Sequence, residues 1–287
     1  MLGTFVSVVS ISLLALGSRN LFTTAAAATA LGQALASALL MNICIVGINQ
    51  IYDIEIDKVN KPYLPLAAED FSVGTGTTIV WFTGAASLGI GLASNSMPLL
   101  ATLAGSLLLG IVYSTDLPFL RWKRHPVAAA LCILTVRSLL VQLGFYFHMQ
   151  AALGTPEMML ITRPLAFATG FMFVFSVVIA LMKDVPDLKG DQQAGLRTLT
   201  VRLGQKRVYW ICIGLLELAY AAAIGVSLSS EVVWSRWAGT AAHAIVAGLL
   251  WWRAAQTDLD DSKSIYDCYM DVWKAFYAEY LLFPLLR

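Results

Sequence analysis

Residues 25–57 read AAAATALGQALASALLMNICIVGINQIYDIEID. Most of this stretch is apolar, and it is long enough to cross the ~30 Å hydrocarbon core of a bilayer as a helix. It runs directly into Asn49, Asp53 and Asp57, whose four-residue spacing places them on one face of a helix. The stretch therefore predicts a membrane-spanning helix with carboxylates at one end.

Comparable apolar segments recur along the 287-residue chain, which is 58% hydrophobic and only 13% charged. Soluble domains of average composition have about 25% charged residues. We therefore predict one transmembrane domain over residues 1–287, all-α, an integral membrane bundle of nine transmembrane helices. Their approximate ranges are 2–17, 22–49, 74–94, 97–115, 126–150, 161–183, 207–228, 232–254 and 268–286.

The distribution of Lys and Arg indicates the orientation of this bundle. If nine helices alternate, the loops near 50–73, 116–125, 184–206 and 255–267 share one side, and most of the cations fall in these loops. The opposite side has only Arg19, Arg163, Arg236 and Arg287. Loops rich in Lys and Arg mark the cytoplasmic or equivalent face of a membrane protein.

The composition also limits which kinds of partner the protein is expected to bind. The net charge is +1 and no basic tail is present, so nothing indicates nucleic-acid binding, and no obligate protein partner is predicted. The four cysteines lie in apolar stretches without a CxxC pattern, which favours small core residues over a disulfide framework. Membrane lipid is the expected surrounding medium.

A second acidic cluster, Asp184, Asp187 and Asp191, follows the predicted sixth helix. Pro186 and Gly190 predict that the helix frays into a loop there. Both clusters supply hard oxygen ligands of the kind that Mg²⁺ prefers, together with phosphate oxygens and water. We predict that Asp53, Asp57, Asp184, Asp187 and Asp191 bind Mg²⁺ and a diphosphate; the alternative is a pair of solvated loops whose carboxylates pair with nearby cations.

Other polar side chains near the same loops are candidate substrate ligands. Intramembrane arginines such as Arg137 face the bundle interior or a wet cavity, and its alternative role is a structural pair with another buried polar group. Basic loop residues are suited to offset phosphate charge, or else to anchor the chain at the membrane surface. The candidates are Asn49, Lys58, Lys61, Tyr113, Arg121, Arg137, Lys183, Arg197, Arg202 and Lys206.

The two motifs, NxxxDxxxD at 49–57 and DxxDxxxD at 184–191, resemble the aspartate-rich motifs of the UbiA superfamily of intramembrane prenyltransferases. Within it, the chain is similar to the plastid homogentisate prenyltransferases along essentially its whole length. The stretches that carry this second resemblance are 57–66 DKVNKPYLPL, 120–124 LRWKR, 178–181 VIAL, 201–208 VRLGQKRV and 276–280 FYAEY.

The resemblance implies nine helices around a central cavity, capped by extramembrane loops. It also implies Mg²⁺-dependent transfer of phytyl or geranylgeranyl from its diphosphate to homogentisate, with loss of CO₂, giving a 2-methyl-6-prenyl-benzoquinol on the route to vitamin E. The implied catalytic residues are Asp53, Asp57, Asp184 and Asp187. Two alternatives remain: the same fold with another aromatic acceptor, such as a flavonoid or coumarin, and an intramembrane terpene cyclase.

Relatives of this branch carry an Arg-Pro-His-Thr stretch just before the first helix, after a transit peptide. This chain opens with Met1-Leu-Gly-Thr-Phe5, where that stretch has just ended. We therefore expect a truncated N-terminus, with a plastid transit peptide outside this chain, and a multi-pass protein of a plastid membrane.

Overall fold

The computed structural model describes residues 1–17, 24–154, 160–188 and 198–286. Among them, only helices and turns occur, which confirms the all-α prediction. Contacts divide the chain into two compact units, Met1–Leu160 and Ile161–Arg287. The single domain over residues 1–287 stays a prediction.

The first unit begins with α1 (Leu2–Leu16), α2 (Ala25–Asn60), α3 (Val73–Ala93) and α4 (Met97–Ser114). A 3₁₀ turn at Trp122–Arg124 leads into α5 (Pro126–Leu134), which continues through a π-helical segment, Thr135–Leu140, into α6 (Val141–Ala152). The second unit contains α7 (Arg163–Met182), α8 (Leu199–Leu203), α9 (Gln205–Leu228), α10 (Val233–Ala255) and α11 (Ser262–Leu282), which a 3₁₀ turn at Phe283–Leu285 follows.

Local sequence explains where several helices begin. The hydroxyls of Thr24, Ser72, Ser96 and Thr162 each accept a hydrogen bond from a backbone N–H in the first turn of the helix that follows. Such caps satisfy amide groups that have no partner within the helix.

The predicted number of nine helices is not confirmed. The described residues contain ten helices when α5, the π-helical segment and α6 are taken as one rod, because the short α8 is additional. Within the described ranges, six helices are long and apolar enough to cross a membrane: α2, α3, α4, the α5–α6 rod, α7 and α9. These spans make the chain a multi-pass membrane protein.

Two predicted boundaries were wrong. The second helix was expected to end at residue 49, but α2 continues to Asn60 and carries the whole first motif. Its acidic end is followed by Lys58 in the last turn, a charge that favours a helix C-terminus. The last helix begins at Ser262 instead of 268, because Asp261 caps it by accepting hydrogen bonds from the N–H groups of Lys263 and Ser264.

Buried polar side chains join the helices of the first unit. His148 on α6 contacts Ser96 Oγ at 2.8 Å and the Ala30 carbonyl at 3.0 Å. Gln150 donates to the Ala15 carbonyl of α1 at 2.7 Å. Interhelical hydrogen bonds of this kind stabilise membrane bundles, in which lipid-facing surfaces gain little from burial.

Packed aromatic rings fill the core of the second unit. Phe171 lies 5.2 Å from Phe175 and 5.3 Å from Tyr220 between ring centroids, and Phe175 lies 5.9 Å from Phe276. Next to them, the fully buried His243 and Glu279 join α10 to α11 at 2.9 Å. The rings bring α7, α9 and α11 together and form the core of this unit.

Candidate active site

Asp53 is the centre of a charge cluster in the first unit. Its side chain is 12% exposed, and Arg121 Nη2 lies 3.3 Å from its Oδ1. Lys123 Nζ contacts Oδ2 of the same carboxylate. Two cations from the turn before α5 therefore neutralise a carboxylate near the end of α2. Arg121 and Lys123 lie 68 and 70 positions after Asp53 in the sequence.

Arg121 is positioned by several partners and by its own backbone. Its Nη1 lies 2.5 Å from Asp116 Oδ2, and Nη2 donates to the Tyr52 carbonyl at 3.4 Å. Its φ of 59° lies in the left-handed region, which a residue with a Cβ seldom adopts. Such backbone strain collects at functional sites, where surrounding contacts maintain it.

Asp57 lies one turn further along α2 and is buried, with a side chain 8% exposed. Its nearest cation is Lys61 Nζ at 3.9 Å, so this carboxylate is less tightly paired than Asp53. Lys58 lies on another face and contacts Glu55 and Glu69, each at 3.4 Å. Lys61 therefore pairs with an aspartate of the motif, whereas Lys58 pairs with two glutamates.

A cavity of about 700 Å³ opens beside this cluster. Its lining includes Asp53, Arg121 and Lys58 on the polar side and Leu66 and Phe71 on the apolar side. The combination of charged and apolar walls suits a ligand with an ionic head and a hydrocarbon tail.

Asn49, the first residue of the motif, donates from Nδ2 to Ser114 Oγ at 3.2 Å, at the end of α4. Tyr113 and Arg137 line a second cavity of about 190 Å³, whose other walls are mostly apolar. Arg137 belongs to the π-helical segment, a local widening that is often found at functional sites. The structure thus places Tyr113 and Arg137 in the wall of one cavity, and their role in substrate binding stays a prediction.

In the second unit, α7 ends at Met182, and Lys183, Asp184 and Asp187 lie in the turns that follow. The prediction that the helix frays before Pro186 is confirmed. Lys183 Nζ is 3.8 Å from Asp184 Oδ1, and the lysine side chain is 64% exposed, so it is free to reach a ligand.

The remaining candidates divide into two groups. Asp191 and Arg197 lie outside the described residues. Arg202 is exposed on α8, and Lys206, on the first turn of α9, pairs with Asp260 at 3.4 Å. Both partners of this last pair are well exposed, and such pairs contribute little to stability.

Sequence reasoning placed Arg121 in the site but did not place Lys123 or Asp116 there. Lys123 contacts Asp53, and Asp116 holds Arg121 and Arg124 together. The LRWKR stretch signalled a cluster of cations, but only the fold shows which of them reach the carboxylate.

The carboxylates of the first motif provide few ligands for a metal ion by themselves. Within the described residues, no three His, Cys, Asp or Glu side chains lie close enough together to hold one. Asp53 and Asp57 nevertheless offer adjacent hard oxygens on one helix face. Mg²⁺ commonly takes one or two protein carboxylates and completes its shell with phosphate oxygens and water, so these residues fit an ion that binds together with a diphosphate.

Known proteins of similar sequence cover the whole chain. Homogentisate phytyltransferase 1, chloroplastic, from Arabidopsis thaliana is 49% identical over 100% of this chain and 72% of its own length. Homogentisate geranylgeranyltransferase from Hordeum vulgare is 47% identical over 99% and 69%. Coumarin 8-geranyltransferase 1, chloroplastic, from Citrus limon is 43% identical over 100% and 70%.

Solved structures support the fold. A digeranylgeranylglyceryl phosphate synthase matches with a TM-score of 0.65 at 16% identity, over 99% of this chain and 93% of that one. A UbiA homolog from Archaeoglobus fulgidus bound to GPP and Mg²⁺ matches with a TM-score of 0.56 at 18% identity, over 99% and 96%. The sequence pattern of the UbiA prenyltransferase family matches residues 4–276. With its aspartate motifs, its helices and these relatives, the chain belongs to the UbiA prenyltransferase family.

Proposed function

We propose that this protein transfers a phytyl or geranylgeranyl group from its diphosphate to homogentisate, with loss of CO₂. The product is a 2-methyl-6-prenyl-benzoquinol, a precursor of tocopherols or tocotrienols. The observation that carries the proposal is the 47–49% identity, over 99–100% of this chain, to enzymes named for this acceptor and these two donors. The plastid membrane is the proposed location, because the phytyltransferase relative is named chloroplastic.

The proposed reaction balances without a further reactant. The allylic C–O bond of the donor breaks and diphosphate leaves, while a ring carbon of homogentisate forms the new C–C bond and releases its proton. The acetate arm loses CO₂ and takes up one proton to become a methyl group. The apolar surroundings keep water away from the allylic cation, which water would otherwise hydrolyse.

The side chains take separate roles in this proposal. Asp53, Asp57, Asp184, Asp187 and Asp191 hold Mg²⁺ with the diphosphate, and Asn49 supports the first motif. When bound, Mg²⁺ stabilises the negative charge of the leaving group. Arg121 and Lys123 already lie against Asp53, so the same guanidinium and ammonium groups are at hand for phosphate oxygens. Lys58, Lys61, Lys183, Arg197, Arg202 and Lys206 complete the proposed set of cations.

Tyr113 and Arg137 are proposed to bind the acceptor. They share a cavity of about 190 Å³ with apolar walls, a size that suits one aromatic ring better than a prenyl chain. A guanidinium pairs well with a carboxylate, and homogentisate carries one. The two compact units are proposed to act as one prenyltransferase domain, because the family pattern extends across both.

A second acceptor class is favoured by one observation. The coumarin geranyltransferase is 43% identical over the whole of this chain, only slightly less than the homogentisate enzymes. A transferase of the same fold that prenylates another phenolic ring is therefore the alternative function.

The test is an assay in reconstituted membranes with Mg²⁺ and labelled phytyl or geranylgeranyl diphosphate, with and without homogentisate. We expect a prenylated, decarboxylated quinol that disappears with EDTA and in the Asp53→Asn and Asp184→Asn variants. The Asp70→Asn variant, which changes an exposed carboxylate of the loop after α2, serves as the control and should retain activity. Diphosphate release with a coumarin but not with homogentisate would select the alternative.

A further inference from the structure

Two arginines meet at the end of the second unit that lies away from the second aspartate motif. Arg163 begins α7, whose 20 residues separate it from the Asp184 turn by about 30 Å. Its Nη2 donates to Ser229 Oγ at 2.5 Å. Arg236 donates from Nε and Nη2 to the carbonyl of the next residue, Ser230, at 2.9 and 2.7 Å. Adjacent residues of one turn therefore anchor both guanidinium groups.

A cavity of about 310 Å³ opens at this turn. Arg163 forms part of its wall, and so do the buried hydroxyl side chains of Ser227, Ser230 and Ser235. Val226 and Leu286 form apolar parts of the wall, and the N-terminal end of α10, which has no side-chain cap, borders it at Val232. The cavity thus combines a cation, hydroxyl groups and a short apolar edge.

The two arginines that bind this turn outnumber the one acidic side chain beside them, Glu231. Within the described residues, neither Arg163 nor Arg236 forms an ion pair with an acidic side chain. Arg163 donates to a hydroxyl and Arg236 to a carbonyl. Glu231 lines the cavity together with Arg163. Arg236 binds the same turn without lining the cavity, so the three side chains together carry one positive charge in excess.

The surroundings indicate where the compensating anion comes from. Trp234 and Trp237, on the first two turns of α10, are 55% and 62% exposed. Exposed tryptophans collect at the level of lipid headgroups in membrane proteins. This end of the second unit is therefore expected to lie at the membrane surface, where phosphate-bearing lipids are the abundant anions.

We propose that this cavity binds the phosphodiester headgroup of a bilayer phospholipid. Arg163, which lines the cavity, contacts the phosphate oxygens, since guanidinium groups bind phosphate in a bidentate manner. Arg236 binds the same turn and adds positive charge at longer range. The serine hydroxyls face the polar headgroup, and the apolar edge with Trp234 and Trp237 faces the glycerol and upper acyl carbons. The site is separate from the proposed prenyl-transfer site and does not depend on it.

The experiment measures the binding of phosphatidylglycerol to the purified, delipidated full chain by native mass spectrometry. We expect one tightly bound lipid per chain, with an affinity at least about fivefold lower in Arg163→Gln and lower still in the Arg163→Gln/Arg236→Gln double variant. Arg207→Gln is the matched control, because it removes an exposed arginine at the other end of α9. It should bind the lipid as the parent protein does.

Two further binding measurements test whether the site binds a lipid headgroup or free phosphate. Arg163→Lys keeps the charge and loses the bidentate geometry, so an intermediate affinity is expected, and it replaces Arg163→Gln if that variant does not fold. Inorganic phosphate at millimolar concentration should not displace the lipid. Equal lipid binding by the parent and the Arg163 variants would overturn the proposal, and so would displacement of the lipid by inorganic phosphate, which would identify a site for the free ion.

Discussion

At the scale of single residues, the Asp53 carboxylate shows how the first motif is balanced before any substrate arrives. Arg121 and Lys123 both contact it, and Arg121 also contacts Asp116. The four side chains form an alternating network of two anions and two cations at the edge of the cavity. If a diphosphate binds here with Mg²⁺, the cation can pair with the carboxylates and the phosphate oxygens with Arg121 and Lys123. No buried charge is then left unpaired, and an unpaired buried charge is strongly destabilising.

Arg121→Gln tests the network. We expect the KM for the prenyl diphosphate to rise about tenfold, because a charge-assisted hydrogen bond contributes about 1.5–3 kcal/mol. Arg124→Gln is the control from the same turn: its guanidinium is 62% exposed and pairs with Asp116 at 3.5 Å, so the KM should change less than about twofold. Equal effects of the two substitutions would contradict a specific role for Arg121.

Arg137→Gln tests the proposed acceptor site. If its guanidinium binds the carboxylate of homogentisate, the KM for homogentisate should rise about tenfold or more, whereas the KM for the prenyl diphosphate should stay within about twofold. Steady-state kinetics with each substrate varied in turn give both values. A parallel rise of both constants would instead indicate that Arg137 only supports the packing of α4 against α5.

The sequence predicted only some of the contacts that the side chains of the first motif make. Four-residue spacing was enough to place Asn49, Asp53 and Asp57 on one helix face. The contact between Asp53 and Lys123 joins residues 70 positions apart, and no local spacing encodes such a contact. The sequence indicated that the LRWKR cations lie on the same membrane face as Asp53, but not which of them touch it.

At the scale of helices, apolar length predicted most of the elements, because a span of the bilayer core requires about 20 apolar residues. The end of α2 was the exception. Its apolar range was expected to end at residue 49, although the spacing of the motif already fitted a helix. The Ile, Glu, Asp and Lys residues there continue the helix to Asn60. The short α8 has too few residues to give an apolar pattern, so its existence was not predicted.

Helix packing in the first unit depends on Gly144 of α6. A Cβ at this position would lie 1.7 Å from Thr102 Oγ1 and 2.8 Å from Thr102 Cβ on α4. We expect Gly144→Ala to lower the free energy of unfolding by about 3 kcal/mol, because overpacking forces the two helices apart. Thermal unfolding in detergent, followed by tryptophan fluorescence, measures the effect.

Gly89→Ala is the matched control for this substitution, since no heavy atom lies within 4 Å of the added carbon in the middle of α3. It should leave stability unchanged or raise it by up to about 1 kcal/mol, because alanine favours a helix. The Thr102→Ala substitution removes the side-chain atoms nearest the added carbon, so it should partly restore the stability of the Gly144→Ala variant. If the double variant is no more stable than Gly144→Ala alone, the close contact is not the cause.

At the scale of the whole molecule, the distribution of positive charge predicts which loops share a membrane face. The four native cysteines are buried, so they should react slowly with a membrane-impermeant maleimide and give a low background. The maleimide should label an Asp70→Cys variant from one side of the membrane and a Val233→Cys variant from the opposite side. A cysteine at Asp258 should label like Asp70 only if α10 crosses the membrane.

The labelling of Asp258→Cys tests whether α10 spans the membrane, because its length is sufficient but its composition is not apolar enough. The segment 232–254 was predicted to span, but α10 is not among the six helices that are apolar enough by themselves. Labelling of Asp258→Cys from the Val233 side would show that α10 does not cross. The proposed orientation of the last two helices would then be wrong, whereas the assignment to the family would stand.

The length of α2 has a consequence for inhibition. Its 36 residues extend about 54 Å, well beyond the ~30 Å bilayer core, and the Asp53 network lies toward the end that exceeds it. Small bisphosphonates without a hydrocarbon tail should therefore reach the network directly from the aqueous phase, so that their potency is independent of lipid content. Tailed analogues must first partition into the bilayer, so their apparent potency should fall as lipid is added at constant enzyme.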